Sequence, residues 1–311
     1  MARSKNWRIW AVGGSMILAA LLGCTGGDKK GQVEAASKEK ATPVTSIPNG
    51  DAAAPTPSDP PSPGIYADAK MNLPFEHACI TEINADAGFS LPPVRTTAGL
   101  STGNLNDAVH KLWDQIKFVG PDGKPQTYVL ELEVTSGDQP LGNIEILMQP
   151  ELAPNHVRNF VALTMLEYYD GLHIDRIVKQ AYETEKGSGK LVLLEAGMPT
   201  QEFDPPSSHL GYWLKPEFSQ QVKHEEGTVG ACLLETDDNE ETAAVRFYIN
   251  LTPAPAMDGN FTIFGKVVKG LDVAKKIAEQ TVRAADAGPD QGRPVQAITI
   301  KKVTVRAVPV Q

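Results

Sequence analysis

Cysteine is scarce in this chain: Cys24, Cys79 and Cys232 are its only three. Basic side chains are outnumbered, 29 Lys and Arg against 38 Asp and Glu, for a formal charge of −9. That balance argues against a nucleic-acid partner, whose phosphates demand basic surface, and against an electrostatic hold on anionic lipid. Long apolar runs are missing too; the best, Ile9 to Leu22, is short for a membrane span. No Ser/His/Asp or Cys/His grouping stands out, so a hydrolase is a distant reading. His173-Ile174-Asp175 and His224-Glu225-Glu226 lack the partners of a metal site and read as solvated loop residues. The acidic run Glu235 to Glu241 has neither the central glycine nor the oxygen spacing of a calcium loop.

What the chain does have begins at its N-terminus. Arg3, Lys5 and Arg8 precede the apolar run, which marks residues 1–23 as an export signal. The run ends in Leu21-Leu22-Gly23-Cys24, similar to the bacterial lipobox, where Cys24 becomes the lipidated first residue. Loss of residues 1–23, with three basic and no acidic side chains, takes the formal charge from −9 to −12. The expected membrane link is therefore the N-terminal lipid alone, outside the cytoplasm. Cys79 and Cys232 then remain. An oxidising compartment permits a disulfide between them, but two buried free thiols are the preferred reading. Residues 24–64, rich in Pro, Ala, Ser, Thr and charge, offer little to bury and read as a tether. About 40 such residues span on the order of 35 Å as a coil.

Residues 65–125 read as a partly helical segment. Leu105, Val109, Leu112 and Ile116 recur at helical spacing, with Thr102 or Asn104 to cap the start. A single helix does not fold alone, so this stripe is expected to pack on the next domain, residues 126–311. There the pattern switches to strands. Tyr128, Leu130, Leu132 and Val134 alternate along one run, and Ile144 and Ile146 along the next. A helix opening at Pro154 follows, with Val157, Phe160 and Val161 as its packed face. His156 on that helix reads as structural. Short strands are expected at Leu172–Val178, Leu191–Glu195, Thr228–Leu233, Val245–Asn250, Thr262–Val267 and Ala297–Val305, and a second helix from Leu271 to Glu279. Eight short strands and two helices fit a mainly β fold, a closed eight-stranded antiparallel barrel with two capping helices. Periodicity alone does not choose it over a sandwich.

Two stretches carry the functional signal. The first contains Gly142-Asn143-Ile144-Glu145-Ile146, Ala153-Pro154-Asn155-His156-Val157-Arg158-Asn159-Phe160, and Tyr168-Tyr169-Asp170-Gly171-Leu172-His173-Ile174-Asp175-Arg176. The second contains Gly227-Thr228-Val229, Arg246-Phe247-Tyr248-Ile249, and Met257-Asp258-Gly259-Asn260-Phe261-Thr262-Ile263-Phe264-Gly265-Lys266. In this order and spacing they resemble the cyclophilins, the peptidyl-prolyl cis-trans isomerases, over roughly residues 126–305. The resemblance implies the same barrel, Arg176 as the catalytic donor, and a groove formed by Val192, Leu193, Glu195, Cys232, Leu233, Arg246, Tyr248, Met257 and Phe261. It implies proline-containing peptides or exported proteins as partners, and calls for no cofactor and no metal.

The departures from the family pattern are specific. Ile174-Asp175 stand where Phe-His is usual, Glu195 and Arg246 replace groove glutamines, and Cys232-Leu233 replace Ala-Asn. Ala256 replaces a tryptophan, Phe261 a histidine, and an insertion near Gln180–Lys190 separates Arg176 from Val192. Strand alternation places Arg246 and Tyr248 on one face and Phe247 on the other. Glu195 and Arg246 are expected to pair across the groove. A weak or selective isomerase follows; a catalytically inactive peptide- or protein-binding lipoprotein is the alternative, and a structural lipoprotein a third reading.

Overall fold

The computed structural model describes residues 66, 69–81, 91–184, 187–201, 208–235, 240–284 and 291–310; the signal, Cys24 and the tether fall outside them. In chain order the elements are α1 (Phe75–Ala78), β1 (Cys79–Ile80), α2 (Thr102–Trp113), β2 (Gln126–Ser136), β3 (Gln139–Met148), α3 (Pro154–Met165), β4 (Ile174–Thr184) and β5 (Gly187–Ala196). They continue as β6 (Trp213–Leu214), β7 (Thr228–Glu235), β8 (Glu240–Asn250), β9 (Ile263–Lys269), α4 (Leu271–Ala278) and β10 (Ile298–Pro309).

Eight of these strands form a ring of antiparallel pairs, β10–β2–β3–β9–β7–β8–β5–β4. A bridge between His173 and Thr299 closes it, with Ile300 N–H donating to Leu172 O at 2.7 Å and Gly171 N–H to Ile300 O at 2.8 Å. The strands are those the alternation predicts, and their closure into a barrel is what the resemblance implies. Leu130, Leu132 and Val134 of β2 and Ile144, Ile146 and Met148 of β3 point into its core, because successive side chains of a strand take opposite faces. The two covering helices add Val157, Phe160 and Leu163 from α3, and Ala274 and Ile277 from α4. The insertion is a hairpin arm: β4 and β5 stay paired as far as Thr184 and Gly187.

Helix α3 starts at a proline, and its N-cap Ala153 supplies no side-chain acceptor. Glu217 takes that role, accepting the N–H of Asn155 (3.2 Å) and of His156 (3.0 Å) and contacting His156 Nδ1 at 2.6 Å. His156 Nε2 meets Thr242 Oγ1 at 2.7 Å, so this histidine ties α3 to β8.

Residues upstream of the barrel share its core. On α2, Leu105 and Val109 are buried as their spacing predicts, but Trp113 rather than the half-buried Leu112 completes the buried face, and Ile116 is buried beyond the end of the helix. The cap is Ser101, which accepts the Asn104 N–H, rather than either expected residue, Thr102 or Asn104; Thr102 Oγ1 instead donates to Pro93 O at 2.6 Å. Arg158 of α3 holds the segment down. Its guanidinium lies 5.5 Å from the Trp113 ring and 5.1 Å from the Phe118 ring and donates to Met71 O at 2.8 Å. The two-residue β1 pairs with β6, and β6 pairs with β8 through Leu214 and Thr242, so the segment extends the sheet beside the barrel.

Candidate active site

Cross-strand register brings the key residues into one row. Arg176 of β4 lies opposite Glu195 of β5, Glu195 opposite Tyr248 of β8, and Tyr248 opposite Gly230 of β7. Directly opposed residues share a face, so four distant positions meet on one patch of barrel wall. A register shift falls between Ile174 and Arg176, directly before the arginine. Gly292 lets the loop before β10 sit against it: a Cβ there would come to 2.9 Å of Arg176 Cγ.

One half of the patch is ionic. Arg246 Nη2 donates to Glu195 Oε2 at 2.9 Å, with both side chains buried, which is the pair expected from two substituted amides. Arg176 is buried as well, and burial lowers its pKa while the charges of Glu195 and Asp175 work against that shift. It stays charged regardless, as guanidinium does. Asp175 is not a solvated loop residue: it is buried and accepts the Met198 N–H at 2.9 Å. Beside it opens a polar cavity of about 170 Å³ whose lining includes His173, Thr97, Arg283 and Arg293.

Burial pushes the Asp175 carboxyl up to about 7 from its ordinary 3.8, against the pull of Arg246 and the Met198 N–H. A folded-state pKa above the unfolded one means that between these values the folded chain holds a proton the unfolded chain has lost. Stability from this group is therefore complete below pH 3.8 and is lost as pH rises through 7. The interval corresponds to at most ~4 kcal/mol at ~1.4 kcal/mol per pKa unit. We expect urea unfolding of wild type to show higher stability at pH 5 than at pH 8, and Asp175→Asn to flatten that slope. An unchanged slope in the variant would refute the assignment.

The other half is apolar. Leu193, Cys232, Leu233, Tyr248, Met257 and Phe261 share one cluster, to which Leu191 and Trp213 also belong. Phe247 points the other way into the barrel core, as alternation requires. Val192 does not join the groove cluster. Leu191, Leu193 and Glu195 share a face, so Val192 lies on the opposite one and packs against the main core; Leu191 takes its place. Both Cys79 and Cys232 are free and buried, and burial pushes the Cys232 thiol up to about 12, so it sits in the wall as an inert thiol.

Besides Leu191, two residues were missed by sequence reasoning. Trp213 comes from the two-residue β6 and is a buried member of the cluster, against which the half-buried Ile80 and Phe218 pack. His224 is buried between Asp258 and Tyr248 rather than solvated, because its partners lie 34 and 24 residues away. All six groove side chains in the cluster are at most 6% exposed, so the patch is closed in this conformation.

The family model for "cyclophilin type peptidyl-prolyl cis-trans isomerase/CLD" matches residues 129–305, more than half the chain. Peptidyl-prolyl cis-trans isomerase CYP18-2 of Arabidopsis thaliana is 27% identical over 185 residues, covering 60% of this chain and 96% of that protein. Peptidyl-prolyl cis-trans isomerase ppi1 of Schizosaccharomyces pombe is 29% identical over 162 residues, covering 52% and 92%. A solved cyclophilin-type isomerase of Cryptosporidium parvum aligns with a TM-score of 0.45 at 16% identity, covering 59% of this chain and 99% of that one. The chain thus belongs to the cyclophilin-type peptidyl-prolyl cis-trans isomerases, as a divergent member.

Proposed function

We propose that the protein isomerises X-Pro bonds in exported polypeptides, with a narrow substrate range, while held to a membrane by a lipid on Cys24. The barrier to be lowered, roughly 18–20 kcal/mol, is amide resonance. It falls when a donor makes the prolyl nitrogen more amine-like and a dry wall holds the twisted peptide. The observation that carries the reading is the row Arg176–Glu195–Tyr248, which sets a buried guanidinium beside the apolar cluster. In this role Arg176 donates to the prolyl nitrogen, and Tyr248, Met257, Leu193 and Phe261 receive the ring. A narrow range follows from the closed cluster and from the Glu195–Arg246 pair, which occupies positions where amides would meet substrate backbone.

That same closure supports a second reading, a non-catalytic module for proline-containing segments. The deciding experiment is an isomerisation assay on the full chain with a panel of proline peptides, beside a peptide-binding titration. Uncatalysed exchange takes tens to hundreds of seconds. Acceleration by substoichiometric protein is expected for part of the panel. Binding with no acceleration would transfer the protein to the second reading. In the same preparation, Cys24→Ala should leave vesicles that wild type binds, and equal binding would remove the lipid anchor.

A further inference from the structure

From Tyr248 in the apolar cluster runs a partly buried polar chain that the isomerisation chemistry does not call for. His224, on the loop before β7, is buried, and its Nδ1 lies 3.0 Å from Asp258 Oδ1. The same oxygen accepts the His224 backbone N–H at 2.8 Å, and Lys223 Nζ lies 3.3 Å from Asp258 Oδ2. On its other side His224 Nε2 is 2.8 Å from the Tyr248 hydroxyl.

Hydrogen-bond roles along this chain are determined from one end. Partial burial works to raise the Asp258 carboxyl, but the hydrogen bonds from His224 and Lys223 hold it below the usual carboxylate value, so it is an acceptor only. The Nδ1 of His224 therefore carries a proton, and in the neutral ring Nε2 is the acceptor to which the Tyr248 hydroxyl donates. Burial raises Tyr248 well above the ordinary phenol value, so the donor keeps its proton.

The geometry around the ring is equally constrained. Gly230, directly opposite on β7, leaves the space: a Cβ there would overlap the Tyr248 hydroxyl. Phe261 meets both rings edge-on, with centroids 6.2 Å from Tyr248 at 88° and 6.2 Å from His224 at 85°. Met257 precedes Asp258 directly, so the loop that delivers the carboxylate also delivers a groove residue.

We infer that His224 and Asp258 are positioning residues, which through the Asp258–His224–Tyr248 chain fix the Tyr248 ring as the wall of the proline site and turn its hydroxyl away from substrate. This rests on the reading above that Tyr248 receives the proline ring. An unanchored phenol in a dry groove would seek a substrate carbonyl, and its ring would follow. Anchored to His224, it presents only its carbon face.

The test uses the full chain and three variants, Tyr248→Phe, Asp258→Leu and Asp258→Asn. It reads kcat/KM on a responsive proline peptide, affinity for that peptide, and the ring ¹⁵N shifts of His224. Wild type should show the Nδ1–H tautomer. Asp258→Leu should lose that tautomer preference and about tenfold or more in kcat/KM, since small displacements of a positioned group carry penalties of this order. Asp258→Asn keeps an acceptor oxygen for Nδ1 and should recover most of the loss. Tyr248→Phe, the most conservative change, should lower kcat/KM and affinity together. If Tyr248→Phe and Asp258→Leu, each folded by circular dichroism, stay within about twofold of wild type in both measures, the inference falls. Should Asp258→Leu not fold, Tyr248→Phe decides alone. If wild type binds peptide without turnover, the isomerase reading fails and the affinities decide this one; if it does neither, both are overturned.

Discussion

Arg176→Ala is expected to lower kcat/KM by about 10² to 10³, the usual consequence of removing one preorganised donor from a water-excluded site, roughly 2.7–4 kcal/mol. The estimate depends on where the guanidinium sits. It is buried at the head of β4, backed by the Gly292 loop and flanked by Glu195, so it has little freedom to lose when substrate arrives. Fixed donors of this kind act on the twisted state rather than on the ground state, so the loss should appear in kcat and leave peptide affinity nearly unchanged. Arg176→Lys keeps the charge but not the planar fork, and should recover only a small part of the activity. An Arg176→Ala protein that unfolds normally and retains more than about a third of wild-type turnover would show that the acceleration arises elsewhere.

The strands are readable from sequence because their signals are local, while the barrel they close into is what the resemblance implies. Alternation in Leu130, Leu132 and Val134 and in Ile144 and Ile146 names strands and their inner faces together, and Pro154 marks the start of α3. Phe247 and Tyr248 part to opposite faces for the same reason. Where partners are remote the sequence is silent. Strands β1 and β6 are two residues each and exist only because each has an edge to pair with. His224 looks like part of a charged loop until Asp258 and Tyr248 arrive from elsewhere. The Val192 misplacement had a signal that was available: with Glu195 on the groove face, period two selects Leu193 and Leu191 and excludes 192. The Glu195–Arg246 pair was readable from the resemblance, which places two opposite charges where the family pattern has two neighbouring amides.

That pair carries the largest stability effect in the site. Glu195 and Arg246 meet at 2.9 Å with side chains 2% and 6% exposed, so neither charge has water to fall back on. Removing one partner should cost ~3–5 kcal/mol, because the other charge is left buried and uncompensated. The two single changes need not be equal. Glu195→Leu leaves Arg246 and Arg176 close together with the Asp175 carboxyl to offset them, and should be the worse. Arg246→Leu leaves Glu195 still facing Arg176 across the β4–β5 pair, which softens the loss. The double change Glu195→Gln with Arg246→Gln removes both charges at similar volume and should stand within ~1 kcal/mol of wild type. Exchanging the charges, Glu195→Arg with Arg246→Glu, should be tolerated better than either reversal alone, though not fully, since Arg176 then faces a like charge. Urea unfolding of wild type, Glu195→Gln, Arg246→Gln and the double glutamine variant, the four proteins of a double-mutant cycle, measures the coupling directly. Additive losses, with no recovery in the glutamine pair, would mean that the two side chains are held by their other neighbours and that the ion pair is incidental. Recovery of stability together with a gain in turnover by the glutamine pair would connect the ion pair to the narrow substrate range, since amides at both positions could again meet the substrate backbone.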